Sequence, residues 1–288
     1  MSVIYSGLTI INTTLDGSSQ TALNTALAAA LVSAGWTVIV DGSSTGIWRL
    51  RSAATPSGLQ GDVWLWNQTS GSGTLPALMS VASLLSTIQT TTGGTLYQNS
   101  TPFTLTCGTG FTYQLIATGY YFYLIRTTIP CPAQASAFFC TPYQPSNVTG
   151  LIASNVVGAG SSTTSDTLGS AGLLSTNSFG LAFCYLNGGG HTAGTAFNLW
   201  AQTAGGFTVP SAQVTWFDGS VEFYEPRVMG VQTNGSGGAS GTTKAIGFMW
   251  DALVMNQASP RGTTISYDSG TWMVLTESIN PSLLIKIA

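Results

Sequence analysis

The stretch RGTTISYDSGTWMVLTESINPSLLIKIA, Arg261 to Ala288, decides the fold. It reads as a strand, a tight turn at Asp268–Gly270, a second strand, a Pro-bearing loop and a third strand. The spacing predicts that SLLIKIA is held in a sheet, whereas unanchored terminal residues usually fray.

Upstream, the pattern repeats. WTVIV, the turn DGSSTG and IWRLRSA give strand, turn, strand between Trp36 and Ala53. GDVWLWNQT sets Val63 and Leu65 on one face and Trp64 and Trp66 on the other, as in a strand buried on both sides. FTYQLIATGYYFYLIRTTI predicts a hairpin turning near Thr118–Gly119, its aromatic run suited to a sheet. LPALMSVASLLSTI fits a second helix or an interior strand. VEFYEPRVMGVQT and AIGFMWDALVMN each read as one strand. VVGAGSSTTSDTLGSAG reads as a loop.

One helix stands out. Polar capping residues at Asp16–Gln20 precede TALNTALAAALVSAG, where Leu23, Leu27 and Leu31 form one apolar stripe among alanines. Gly35 sits where a terminating glycine belongs. The expected fold is therefore mainly β, of the α+β class: antiparallel β-sandwich-like sheets with one N-terminal amphipathic helix. Two units are expected, residues 1–145 with the helix and an antiparallel sheet, and residues 146–288 as a second, sandwich-like unit.

Composition narrows the function. Apolar residues make up 44% of the 288, but charged residues only 6%, against roughly 25% in an ordinary chain. With a formal net charge of −3, repulsion between copies is weak, which favours self-association. Seven basic residues spread along the chain make no patch for nucleic acid. The opening MSVIYSGLTIINTTLDG lacks a basic region followed by an apolar core, so no signal peptide is expected. No apolar run reaches the ~20 residues of a membrane-spanning helix. Synthesis in a cytoplasm follows. Cys107, Cys131, Cys140 and Cys184 match neither zinc nor redox spacing. They are expected as buried thiols, with Cys131 and Cys140 able to pair if PAQASAFF loops back.

Chemistry-bearing constellations are sparse. The single histidine, His191, lies in a glycine-rich loop and has no triad motif around it. Asp218, Glu222 and Glu225 are the densest carboxylates. Asp218 belongs to an Asp-Gly turn, and on one strand Glu222 and Glu225 point to opposite faces with Arg227 as counterion. A glycosidase resting on Glu222 and Glu225 is the enzymatic alternative. Arg49 and Arg51 share one face of their strand, Trp48 and Leu50 the other, with Asp62 in reach of either arginine. Gly235–Gly241 lacks the Lys-Ser/Thr of a phosphate loop. Glycosylation-type triplets at Asn12, Asn67, Asn99, Asn147 and Asn234 are expected by chance in so hydroxyl-rich a chain. No catalytic, cofactor-binding or metal-binding residue is assigned, and no cofactor. A carbohydrate-binding module, with exposed aromatics stacking on glycans, is the binding alternative.

Three segments carry a resemblance: TALNTALAAALVSAGWTVI with GIWRLRSAATPSGLQGDVWLWNQ, the hairpin YQLIATGYYFYLI, and PRGTTISYDSGTWMVLTESINPSLLIKIA. Together they cover about half of the chain, and in them the chain resembles tailed-bacteriophage virion structural proteins. It departs from them in carrying fewer Asp, Arg and Lys. The resemblance implies a non-enzymatic part of the tail or baseplate region, located in the virion and contacting itself and other virion proteins without nucleic acid or membrane. Capsid decoration or a collar is the other position it implies. It supplies no catalytic residues.

Overall fold

A computed structural model of the chain describes residues 3–58, 60–67, 76–81, 103–104, 107–127, 136–140, 143, 157–160, 197–201, 221, 223–231, 243–255, 257, 259–275 and 282–288. In chain order these form β1 (Ile11–Asp16), α1 (Gln20–Ser33), β2 (Thr37–Val40), β3 (Ile47–Arg51), β4 (Asp62–Asn67), β5 (Pro76–Val81), β6 (Phe103–Thr104), β7 (Thr112–Ala117), β8 (Tyr121–Arg126) and β9 (Ser136–Cys140). There follow β10 (Val157–Gly160), β11 (Phe197–Ala201), β12 (Phe223–Tyr224), β13 (Pro226–Val231), β14 (Thr243–Phe248), β15 (Ala252–Met255), β16 (Thr264–Tyr267), β17 (Gly270–Val274) and β18 (Ser282–Lys286). The protein is mainly β with one helix, and every strand pairing among the described residues is antiparallel.

The helix forms where its signals lie. The Ser19 hydroxyl accepts the Ala22 N–H at 3.1 Å, closing the first turn. At the other end Gly35, at φ +98°, gives its N–H to Val32 O, and Trp36 gives its N–H to Leu31 O, both at 3.0 Å. This is a Schellman motif, with Trp36 and Leu31 supplying its apolar contact. A Cβ on Gly35 would meet nothing nearer than the Gly119 Cα at 4.0 Å. Gly35→Ala is therefore expected to cost about 1 kcal/mol from backbone conformation alone, read as a lower urea midpoint at unchanged slope.

Four sheets are described: β1-β7-β8-β9-β10, β2-β3-β4-β5-β6, β11-β13-β14 and β12-β15-β18-β17-β16. The first is the central layer, because alternate residues of β8 point into different cores. Phe122 and Leu124, with Leu15, Tyr113, Leu115 and Ala117, meet α1 through Leu23, Leu27, Ala28 and Leu31, and meet Leu50, Val63 and Leu65 of the second sheet. Tyr121, Tyr123 and Ile125, with Ile116, meet Ala252, Val254, Met273, Leu283 and Ile285 of the fourth sheet. That sheet is itself covered on its far face, where Leu253, Met255, Trp272, Val274 and Leu284 pack with Val3. A one-residue slip of β8 would exchange the residues that face the two cores.

The opening stretch folds as its spacing predicts. Asp268 and Ser269, at φ 46° and 59°, join β16 to β17 in a turn of the I′ kind, and β18 lies against β17. The β7–β8 hairpin turns at Thr118–Tyr120, where the Thr118 N–H donates to Tyr121 O at 2.9 Å.

Three readings are corrected. VVGAG is not all loop, since Val157–Gly160 pairs with β9. VEFYEPRVMGV is not one strand: β12 and β13 belong to different sheets, and Pro226 marks the break. AIGFMWDALVM likewise divides between two sheets, with Trp250 and Asp251 in the turn. PALMSV is strand β5, while the rest of LPALMSVASLLSTI lies outside the described residues. The boundary expected at residues 145/146 also lies outside them. The β9–β10 ladder and the core shared by β8 and β15 join chain from either side of it.

Candidate functional site

An aspartate in an apolar run needs a reason. Asp251 sits within GFMWDALVM, is 2% exposed, and adopts a left-handed backbone at φ 49°. Aspartate is one of the few L-residues that tolerates this conformation. The turn it forms carries the chain from β14 to β15.

All of its polar groups are used. The backbone N–H donates to Ile4 O at 2.8 Å, and the backbone C=O accepts the Lys286 N–H at 2.9 Å. Oδ1 accepts the Ser6 N–H, and Oδ2 accepts the Tyr121 hydroxyl, each at 3.1 Å. Residues 3–6, β8 and β18 thus meet at one residue, Asp251, at the start of β15. Burial pushes that carboxyl above the ordinary carboxylate value, against the pull of the Ser6 and Tyr121 hydrogen bonds and of the Lys286 charge. A general acid or base needs an oxygen that reaches substrate. Both Asp251 oxygens are instead held by protein donors, which is the arrangement of an anchor.

A second cluster adjoins it. The Tyr5 hydroxyl donates to Asp268 Oδ2 at 2.5 Å, the Lys286 Nζ lies 4.9 Å from the Tyr5 ring centroid, and the Trp272 ring lies at 6.3 Å. Burial and then the Asp268 carboxylate raise the Tyr5 hydroxyl above its ordinary value. Among the described residues the large exposed apolar side chains are Tyr5, Leu8, Val32, Val38 and Ile39. Tyr5 is the one aromatic there, and Lys286 and Trp272 both lie against its ring, so it offers no open platform for a sugar.

Among the described residues, those singled out from sequence do not converge. His191, Asp218, Glu222, Gly235–Gly241, Asn99, Asn147, Asn234, Cys131 and Cys184 lie outside the described residues. Glu225 is half-buried at the β12/β13 break. Arg49 is buried beside Leu50, and Arg51 stands opposite Asp62 in the β3–β4 ladder. Asn67 is part of the helix contact. Its Oδ1 accepts from Asn24 Nδ2 and its Nδ2 donates to Thr21 Oγ1, both at 3.0 Å. Asn12 is exposed, and its Oδ1 accepts from Gln114 Nε2. Cys107 is a buried free thiol, pushed up to about 12 by burial and then by Asp16, and so unreactive. No group of three or more His, Cys, Asp or Glu side chains that could hold a metal occurs among the described residues. No helix there is long and apolar enough to cross a membrane.

No family model matches the sequence, and no curated protein matches it either. The Asp251 junction was missed in the sequence because AIGFMWDALVMN passes for one strand. The available signal was a lone charge in the middle of an apolar run.

Proposed function

We infer that the chain is a non-enzymatic structural subunit of a tailed-bacteriophage virion, of the tail or baseplate region. It assembles with copies of itself and with other virion proteins through low-charge, β-rich surfaces. The observation that carries this reading is the charge deficit, 17 charged residues in 288, on a fold with an exposed edge strand, β2, among the described residues. In β2, an edge strand, Val38 and Ile39 are exposed and a bulge falls between Val38 and Val40. A bulged edge limits indiscriminate strand addition, which suits a surface meant for chosen neighbours. The resemblance in the helix, the hairpin and the closing strands points to the same class. Capsid decoration or a collar is the alternative position.

The test is light scattering across a concentration series, with negative-stain microscopy of the same samples. Closed rings or tubes of one symmetry support the reading. A monomer at every concentration, together with saturable binding in a glycan screen, would replace it with the carbohydrate-binding reading.

A further inference from the structure

Residues 3–15 thread all three cores. Val3 lies in the cluster on the far face of the fourth sheet, Ile4 and Ile10 pack on the cluster between the fourth and first sheets, and β1 then carries Leu15 into the helix core. Residues 3–6 are a strap laid over the fourth sheet. What holds them reads backbone more than side chain: the Asp251 N–H donates to Ile4 O, and the Asp251 carboxyl accepts the Ser6 N–H. Tyr5 adds the bond to Asp268, and Val3 the buried anchor.

Between this strap and β1 lies a hinge. Gly7, Leu8 and Thr9 are all exposed. Gly7 is at φ +66°, and a Cβ there would meet nothing within 4 Å. The left-handed turn at Gly7 folds the strap back onto its own body, and among the described residues one side-chain hydrogen bond spans it, the Leu8 N–H donating to Ser6 Oγ at 3.3 Å.

We propose that the strap is exchangeable: in a dimer, residues 3–6 of each copy occupy the Asp251 groove of the other. The occupant is a second copy because the groove's known ligand is this chain's own segment, so a neighbour's strap makes identical contacts. Only the hinge conformation and the association entropy then separate closed monomer from exchanged dimer. With so few charges, little electrostatic repulsion opposes the approach of two copies. The titratable groups facing the groove are Asp251, Tyr121, Lys286, Tyr5 and Asp268. They travel with the groove and the strap, so each is matched in the exchanged form. The proposal stands apart from the virion reading, since it needs only the strap, the hinge and the groove.

Gly7→Ala penalises the folded-back hinge without a steric clash. It is expected to raise the dimerisation constant about thirty- to nine-hundred-fold, because about 1–2 kcal/mol is relieved at each of the two hinges, read by light scattering across a concentration series. Adding Val3→Asp, which cannot enter the apolar anchor site, is expected to return the double variant to monomer. A Gly7→Ala protein that stays monomeric overturns the proposal, because the strap would then merely detach. A double variant that stays dimeric overturns it too, because another surface would then hold the copies together. Wild-type chain supplies a check free of folding defects. Isotopically heavy and light copies, incubated together at high concentration and read by native mass spectrometry, should yield mixed dimers. Failure to mix at any concentration is contrary to exchange.

Discussion

Asp251→Ala is expected to lower stability by about 3 kcal/mol, from two lost hydrogen bonds to a buried carboxyl and a left-handed alanine. In a domain of this size that lowers the Tm by roughly 6–12 °C. Asp251→Asn separates charge from geometry. Asparagine tolerates the left-handed turn, can still accept the Ser6 N–H and can donate to the Tyr121 oxygen. Burial raises the wild-type carboxyl above its ordinary value, so the fold holds that proton more tightly than the unfolded chain does. The stabilisation this brings is fully present below about pH 4, the unfolded value, and is lost as the pH rises through the folded one. Relative to wild type, Asp251→Asn should therefore gain stability as the pH rises above about 4. Urea midpoints of both proteins across that range measure it. A difference independent of pH would mean that the carboxyl does not titrate there.

Phe122→Ala is expected to cost about 3–5 kcal/mol. The Phe122 ring is fully buried in the central sheet and lies 5.8 Å from the Trp36 ring, which closes the helix. The Trp36 Nε1–H is itself fixed to Thr118 O at 2.8 Å, in the turn of the β7–β8 hairpin. Removing Phe122 thus opens a void where helix, hairpin and sheet meet, and little can collapse into it. Phe122→Leu should cost clearly less, and Val32→Ala, at an exposed helix position, close to nothing. Thermal unfolding of the three variants ranks them.

These effects track what the sequence allowed to be read. The helix, its glycine stop, the β7–β8 hairpin and the β16–β17 turn were legible because each is encoded by residues a few positions apart. The layer order was not. β1 pairs with β7 about a hundred positions on, Ile11 facing Ala117, and nothing local in INTTLD names that partner. Strand breaks inside apolar runs were also hidden, since VEFYEPRVMGV and AIGFMWDALVM keep strand-like composition across a change of sheet. The Pro226 in the first and the Asp251 in the second were the only marks of it. Gln20 and Asn24 on the buried side of α1 were invisible beneath the leucine stripe, although Asn24 reaches Asn67 there.

The strap also sets a clock. Tyr5 and its partner Asp268 are 263 positions apart, so a ribosome adding about 5–20 residues per second finishes the groove roughly ten to fifty seconds after the strap has been made. Throughout that interval a nascent chain has a strap and no groove of its own. On a message translated by several ribosomes, chains ahead in the queue have already finished theirs. Translation spacing, as much as protein concentration, then decides whether a strap closes on its own body or on a neighbour's.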